Sequence, residues 1–303
     1  MKLEGILKIL LLVVVSILLF ASAVFAASTG PAAIDIKKGI LFVTFGSSMP
    51  QGEAAIIAVR DAVIAAYPDI EVRTAYTSRI IMRKIAREQG RSIDEPAIAL
   101  AKMAYEGFTD VAVLSTHIIP GAEYDDLAAV VRAFRMMSEY APKPGFRKIT
   151  LSLPLLSEQE SIERVAEVMA NTYEKEIADG AVVLVGHGTH HFADAAYSAL
   201  QMALLRNSPN FFVGVVEGLL EYDDVLSRLK SSSVEKIYIA PAMLVAGDHT
   251  LNDIAGDEED SWKSMLEDEG YEVIPILTGW GQNEGIQEII LDKLHETWSE
   301  LDR

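Results

Sequence analysis

Two pairs of segments in this chain read alike, and that duplication limits the fold more than any other feature. Residues 41–48 (LFVTFGSS) match residues 183–190 (VLVGHGTH), with Gly46 falling on Gly188. Residues 116–127 (THIIPGAEYDDL) match residues 242–253 (AMLVAGDHTLND), with Gly121 on Gly247 and Glu123 on His249. Around them, short β-branched runs alternate with stretches of helical spacing. Strands are expected at 39–45, 70–76, 110–115, 148–153, 181–185, 211–216, 236–240 and 271–275. Helices are expected at 52–67, 78–88, 95–105, 124–140, 159–177, 192–206, 258–269 and 285–301. Strands that alternate with helices form parallel sheets covered on both faces. Eight strands in two groups of four imply an α/β chain of two similar domains, at 37–157 and 158–303, each with a central four-stranded parallel sheet. The last helix is a candidate to pack back on the first half. Matching loops of two such halves face each other across a cleft, where ligands bind.

The first 26 residues are set apart. Lys2 and Lys8 precede an apolar run at 9–20, and Val24-Phe25-Ala26 offers small residues for cleavage. This is the pattern of a secretory signal peptide, so the mature chain is expected in the periplasm, without stable membrane association once the leader is removed. An uncleaved anchor is the alternative, because the run approaches the length that spans a bilayer.

The chain has no cysteine. Thiolate metal sites, iron–sulfur clusters and thiol nucleophiles are thereby excluded, and a metal must be held by His, Asp or Glu. A formal net charge of -18 argues against nucleic acid, which needs a basic face.

The densest chemistry is at residues 181–191 (AVVLVGHGTHH), which hold three of the six histidines. The apolar run ends in Gly186-His187-Gly188, so His187 is expected where a strand ends. A solvated turn histidine is the plain alternative, since a G-H-G triplet is a weak motif. Glu217 (GVVEGLL) and His249 (VAGDHTLND) also follow strands directly. Three strands thus deliver His187, Glu217 and His249 to one sheet edge. Two imidazoles and a carboxylate suit a divalent metal with open positions, or proton transfer near neutral pH. Taken singly, Glu217 reads first as a carboxylate at a helix N-terminus. His190 and His191 read as solvated or supporting residues of the next helix, and His295 as a surface residue. The acidic run at 257–260 reads as a solvated helix start. No G-x-S-x-G elbow, Walker motif or complete G-x-G-x-x-G occurs, so neither ATP nor NAD is expected.

Together FVTFGSS, THIIPGAEYDDL, LVGHGTHH and VAGDHTLNDIAGDEEDSW resemble the anaerobic sirohydrochlorin cobaltochelatases of cobalamin synthesis. These are ATP-independent, class II tetrapyrrole chelatases. The resemblance covers about residues 36–301. It implies two Rossmann-like halves with a tetrapyrrole cleft between them, and insertion of Co2+ into sirohydrochlorin with loss of two protons. It also implies a metal site on His187, Glu217 and His249, and a homo-oligomer. His187 is the candidate base and His249 the main metal ligand, although the two can share both tasks. Tetrapyrrole contacts are expected from Ser47, Ser48, Arg79 and Arg83, with His117 and Glu123 on the opposite wall. Fe2+ insertion to give sirohaem, or an exported haem or metal-tetrapyrrole carrier using His117, are the alternatives. The leader departs from the family pattern, because typical members are cytoplasmic.

Overall fold

The computed structural model describes Val13 and residues 35–140, 145–247 and 250–303, with the side chains of 138–140 and 250 left aside. The expected leader therefore lies outside the described residues apart from Val13, and so does His249.

Residues 37–303 form one compact unit. Its first half runs β1 (Lys38–Thr44), α1 (Pro50–Ala66), β2 (Glu71–Tyr76), α2 (Arg79–Gln89), α3 (Pro96–Tyr105), β3 (Asp110–Ser115), α4 (Ala122–Tyr140) and β4 (Lys148–Leu151). The second runs α5 (Gln159–Thr172), α6 (Glu174–Asp179), β5 (Ala181–Gly188), α7 (Ala195–Leu204), β6 (Phe211–Glu217), α8 (Tyr222–Lys230), β7 (Lys236–Pro241), α9 (Trp262–Asp268), β8 (Glu272–Pro275) and α10 (Glu284–Ser299). All strand pairs are parallel, in the orders β2-β1-β3-β4 and β6-β5-β7-β8. The second sheet repeats the order of the first, which is what the duplicated segments demand. Gly46 and Gly188, matched in the repeat, both take positive φ just past or at the end of the first strand of their half.

Strands β1, β3, β5 and β6 are largely apolar because helices cover both faces, whereas the edge strand β2 (EVRTAY) is partly polar and partly exposed. The outer face of the first sheet packs Leu41, Val43, Val111 and Val113 against Leu100, Met103 and Leu127. The outer face of the second packs Val183, Val185 and Ile239 against Val225, Leu229 and Leu266. The other two faces share a single apolar layer. In it Ile40, Phe42 and Leu114 belong to the same cluster as Val182, Leu184 and Val213, together with Ile289, Ile290 and Leu294 of α10. Helix α10 touches β3, β4 and α1 of the first half as well as α5 of the second. Two further hydrogen bonds fasten it there: Thr150 Oγ1 donates to Thr297 O (3.0 Å) and Lys148 Nζ to Leu301 O (2.9 Å).

Several boundaries differ from those expected. Strand β5 runs on through Gly186, His187 and Gly188, because β6 extends beside it and pairs Gly188 with Glu217. The helix expected at 159–177 breaks at Tyr173, whose backbone leaves helical geometry (φ -107°, ψ 25°) and whose ring is buried. Helix α9 starts at Trp262 and not at 258, since the Ser261 hydroxyl caps it by accepting the Ser264 N–H (3.1 Å). The acidic run stays in the turns before it. Helix α8, between β6 and β7, has no counterpart among the expected helices.

Candidate functional site

The paired ends of β5 and β6 build the site. Because Gly188 lies opposite Glu217, the side chains of His187 and Glu217 emerge at the same carboxyl edge. The approach is close enough that a Cβ on Gly188 would sit 1.9 Å from the Glu217 carbonyl oxygen, and its φ of +76° is left-handed. Only glycine meets both conditions. Gly186 makes room of another kind, since a Cβ there would lie 2.4 Å from the Tyr197 ring. The two glycines around His187 are thus explained by packing.

His187 and Glu217 are half-buried. His187 Nδ1 lies 3.0 Å from Gly188 O, which can only accept, so Nδ1 carries the proton and the lone pair is on Nε2. Glu217 Oε1 is 3.8 Å from the same Nδ1, and its Oε2 is 3.7 Å from Nε2 of the exposed His190. The carboxylate therefore stands between two imidazoles. The Glu217 side chain is at the end of a strand, four residues short of α8, so a helix-terminal role does not account for it.

His191 has two contacts. Its Nδ1 accepts the Ala193 N–H (3.2 Å), capping a 3-10 turn at Phe192–Asp194, which places the proton on Nε2. That Nε2 is 3.4 Å from Asp125 Oδ2, on the first turn of α4 in the other half. Glu123, from the same turn, is close enough to feel His187. Surrounding protein raises its carboxyl pKa, although the residue as a whole stays exposed, and a proton on His187 would act in the opposite sense. The acidic turn of α4 thus faces the histidine edge of β5 across the gap between the halves.

The remaining expected residues are placed differently. His117 is not on an open wall. It is 9% exposed, with Nδ1 2.8 Å from Ser115 Oγ and Nε2 3.5 Å from Thr77 Oγ1. Burial pushes its imidazole down to about 4, so it is a neutral core histidine and is not placed as an axial haem ligand. Ser47 is buried and structural: its hydroxyl accepts the Met49 N–H (3.1 Å) in the turn before α1. Ser48 has a buried hydroxyl without a hydrogen-bond partner among the described residues. Arg79 is exposed and engaged by Glu95 (Nε to Oε2, 2.8 Å), and Arg83 is exposed on α2. Among the described residues no three His, Asp or Glu side chains meet metal-binding geometry; His249 is outside that set. The structure brings His187 and Glu217 together.

Sequence reasoning missed four residues here. Asp125 contacts His191, and Asp194 lies buried beneath the site. Phe192 (90% exposed) and Leu219 (63% exposed) flank the paired strand ends. The signal of the two apolar ones was faint: each sits in a polar or glycine-rich loop, where single apolar residues are common.

The match to known families decides the affiliation. A family model described as cobalt chelatase (CbiK) matches residues 38–299. The chain belongs to the CbiK cobalt chelatase family. Two curated members lie well within the same range. The sirohydrochlorin cobaltochelatase CbiKC of Nitratidesulfovibrio vulgaris (strain Hildenborough) is 39% identical over 267 residues, covering 88% of this chain and 92% of that protein. The sirohydrochlorin cobaltochelatase of Salmonella typhimurium (strain LT2) is 35% identical over 262 residues, covering 86% and 96%. Among solved structures, SirB from Bacillus subtilis with Fe3+ superposes with a TM-score of 0.58 at 17% identity, over 86% of this chain and 96% of that one. The sirohydrochlorin chelatase SirB of Bacillus subtilis subspecies spizizenii, in complex with cobalt, gives 0.55 at 15% identity, over 88% and 97%. These two share the chelatase family's two-sheet fold.

Proposed function

We propose that this chain is a sirohydrochlorin cobaltochelatase: Co2+ and sirohydrochlorin give cobalt-sirohydrochlorin and two protons, with no ATP consumed. The observation that carries the reading is membership of the CbiK family over residues 38–299, with relatives of that activity at 35–39% identity. His187 and Glu217, at adjoining strand ends, supply the donors such a reaction needs.

Insertion requires two pyrrole N–H protons to leave and a hydrated cation to shed part of its water. Imidazole and carboxylate donors suit a first-row divalent cation. His187, with its lone pair on Nε2, has one donor for either the cation or a pyrrole proton. Glu217, 3.8 Å away, offsets the cation's charge. His249, in the loop after β7, is proposed as the second imidazole on its sequence position and the family resemblance. Glu123 and Asp125 add negative charge on the facing turn of α4. Phe192 and Leu219 offer exposed apolar surface for the flat face of the macrocycle.

The assay is direct. Purified protein with Co2+ and sirohydrochlorin is expected to change the tetrapyrrole absorption spectrum well above the metal-only background. His187→Ala and Glu217→Gln are each expected to lower kcat/KM by roughly 100-fold or more, the scale on which general acid–base groups act. Rates equal to background, or unchanged in both variants, would overturn the reading. The leader motif supports a further proposal, that the chain acts in the periplasm, and the family resemblance supports a homo-oligomer. Cell fractionation, N-terminal sequencing and light scattering of the exported protein test it.

A further inference from the structure

Asp194 is an acid that the chemistry above leaves unused. It closes the 3-10 turn before α7 and is 3% exposed. Its Oδ1 accepts the N–H of Thr189 (3.2 Å), one residue beyond Gly188. Its Oδ2 accepts the N–H of Leu219 (2.7 Å), two residues beyond Glu217. One buried carboxylate therefore holds both loops that leave the paired ends of β5 and β6. The second loop lies against it so tightly that a Cβ on Gly218 would be 2.5 Å from Oδ2, and Gly218 has a φ of +149°. Tyr197, buried, packs under Gly186, where a Cβ would lie 2.4 Å from its ring, and so braces the strand end that leads into the first loop. Loops fixed on one rigid acceptor cannot drift apart independently.

We infer that Asp194 is a positioning residue for metal transfer. By holding Thr189 and Leu219 on one carboxylate it sets the spacing of His187 and Glu217, and it presents Leu219 at the rim. A donor pair is useful to a cation only when its geometry is held to within a fraction of an ångström; β6 ties back its own loop through the Val215 N–H to Leu220 O (2.8 Å), and Asp194 joins that loop to the one leaving β5. This inference rests on the reading of His187 and Glu217 as the groups that handle Co2+.

The test is Co2+ affinity of the full chain without tetrapyrrole, by isothermal titration calorimetry, beside steady-state insertion rates and thermal unfolding. Asp194→Ala removes both acceptors and is expected to weaken Co2+ binding about tenfold or more, with kcat/KM falling in step. Asp194→Asn keeps the shape but sets an amide N–H against one of the two backbone donors, so a smaller loss of about threefold is expected. It decides the matter if Asp194→Ala does not fold. A purely structural acid would lower Tm and leave the Co2+ affinity of the folded variants within twofold of the unsubstituted chain. That result, beside a weakened His187→Ala, would overturn this inference alone. Equal Co2+ affinity of the unsubstituted chain and His187→Ala would overturn the reading of the site itself, and this inference with it.

Discussion

His117 shows how one side chain can tie stability to pH. Its neutral ring is enclosed by Ser115, Thr77 and the edge of Tyr124, whose ring centroid is 6.5 Å away. Its titratable ring neighbour Tyr124 is neutral throughout this range, and burial raises its pKa further. Burial alone acts on His117, so folding lowers its pKa from 6.5 to about 4. Above pH 6.5 the ring is neutral in both folded and unfolded chains and contributes no pH dependence. As pH falls from 6.5 towards 4, the unfolded chain takes up a proton that the folded chain refuses, so stability drops across that window and levels off below it. The expected loss is about 2–3 kcal/mol by pH 4.5. Urea melts at pH 7 and pH 4.5 measure it against His117→Gln, which cannot titrate there. Equal pH sensitivity of the two proteins would rule the assignment out. From sequence, T-H-I-I-P-G placed His117 correctly just after a strand. What it lacked was the Ser115 and Thr77 hydroxyls, which come from the same strand's inward face and from the loop after a different strand.

At the scale of elements, the strand ends are where sequence reading succeeded and where it fell short. All eight strands were located to within a few residues, most plainly where an apolar run marks a strand covered on both faces; β2 (EVRTAY), at a sheet edge, is the most polar of them. The extension of β5 through His187 was not visible, since its cause is the pairing of Gly188 with Glu217, contributed by a segment almost thirty residues away. The break at Tyr173 was hidden for a related reason: burial of that ring competes with helix continuation, and periodicity records only the latter. Serine at 261 could have marked the start of α9, as N-cap serines do, but the acidic run before it also reads as a helix start. One contact between elements has a testable energy. Arg147, just before β4, grips Asp110 at the start of β3 with two parallel hydrogen bonds, the Nε one 2.9 Å long, and Asp110 is fully buried. Removing the guanidinium leaves a buried carboxylate without its cation. Arg147→Met is therefore expected to cost about 3 kcal/mol of stability. The pair is at the amino end of the first sheet, whereas His187 ends a strand of the second, so Co2+ insertion at 25 °C should be unchanged. Chemical denaturation checks the first statement and the chelation assay the second; a loss under 1 kcal/mol would contradict the account.

For the whole molecule, the question is whether two halves with duplicated topology behave as two folding units. Their inner sheet faces do not close separate cores. Ile40, Phe42 and Leu114 from one sheet and Val182, Leu184 and Val213 from the other share one cluster, and α10 joins it while touching α5 of the second half. Helix α10 is the last element of the second half, yet it lies on β3 and β4 of the first. Uncovering the first sheet therefore means undocking the end of the second half, which exposes apolar surface on both. A single cooperative transition follows for residues 37–303, seen in calorimetry as one peak whose van't Hoff and calorimetric enthalpies agree. Leu294 is fully buried in the shared layer, and truncating such a leucine costs about 2–5 kcal/mol. Leu294→Ala should lower Tm by roughly 5–10 °C for a chain of this size and keep the peak single. Two resolved peaks, with Leu294→Ala moving one of them, would mean that the halves fold independently. The same coupling bears on chemistry, because a shared core fixes the distance from the acidic turn of α4 to His187. A weakened α10 contact should then raise the KM for the tetrapyrrole at temperatures still below the melt, where the site's own residues are intact.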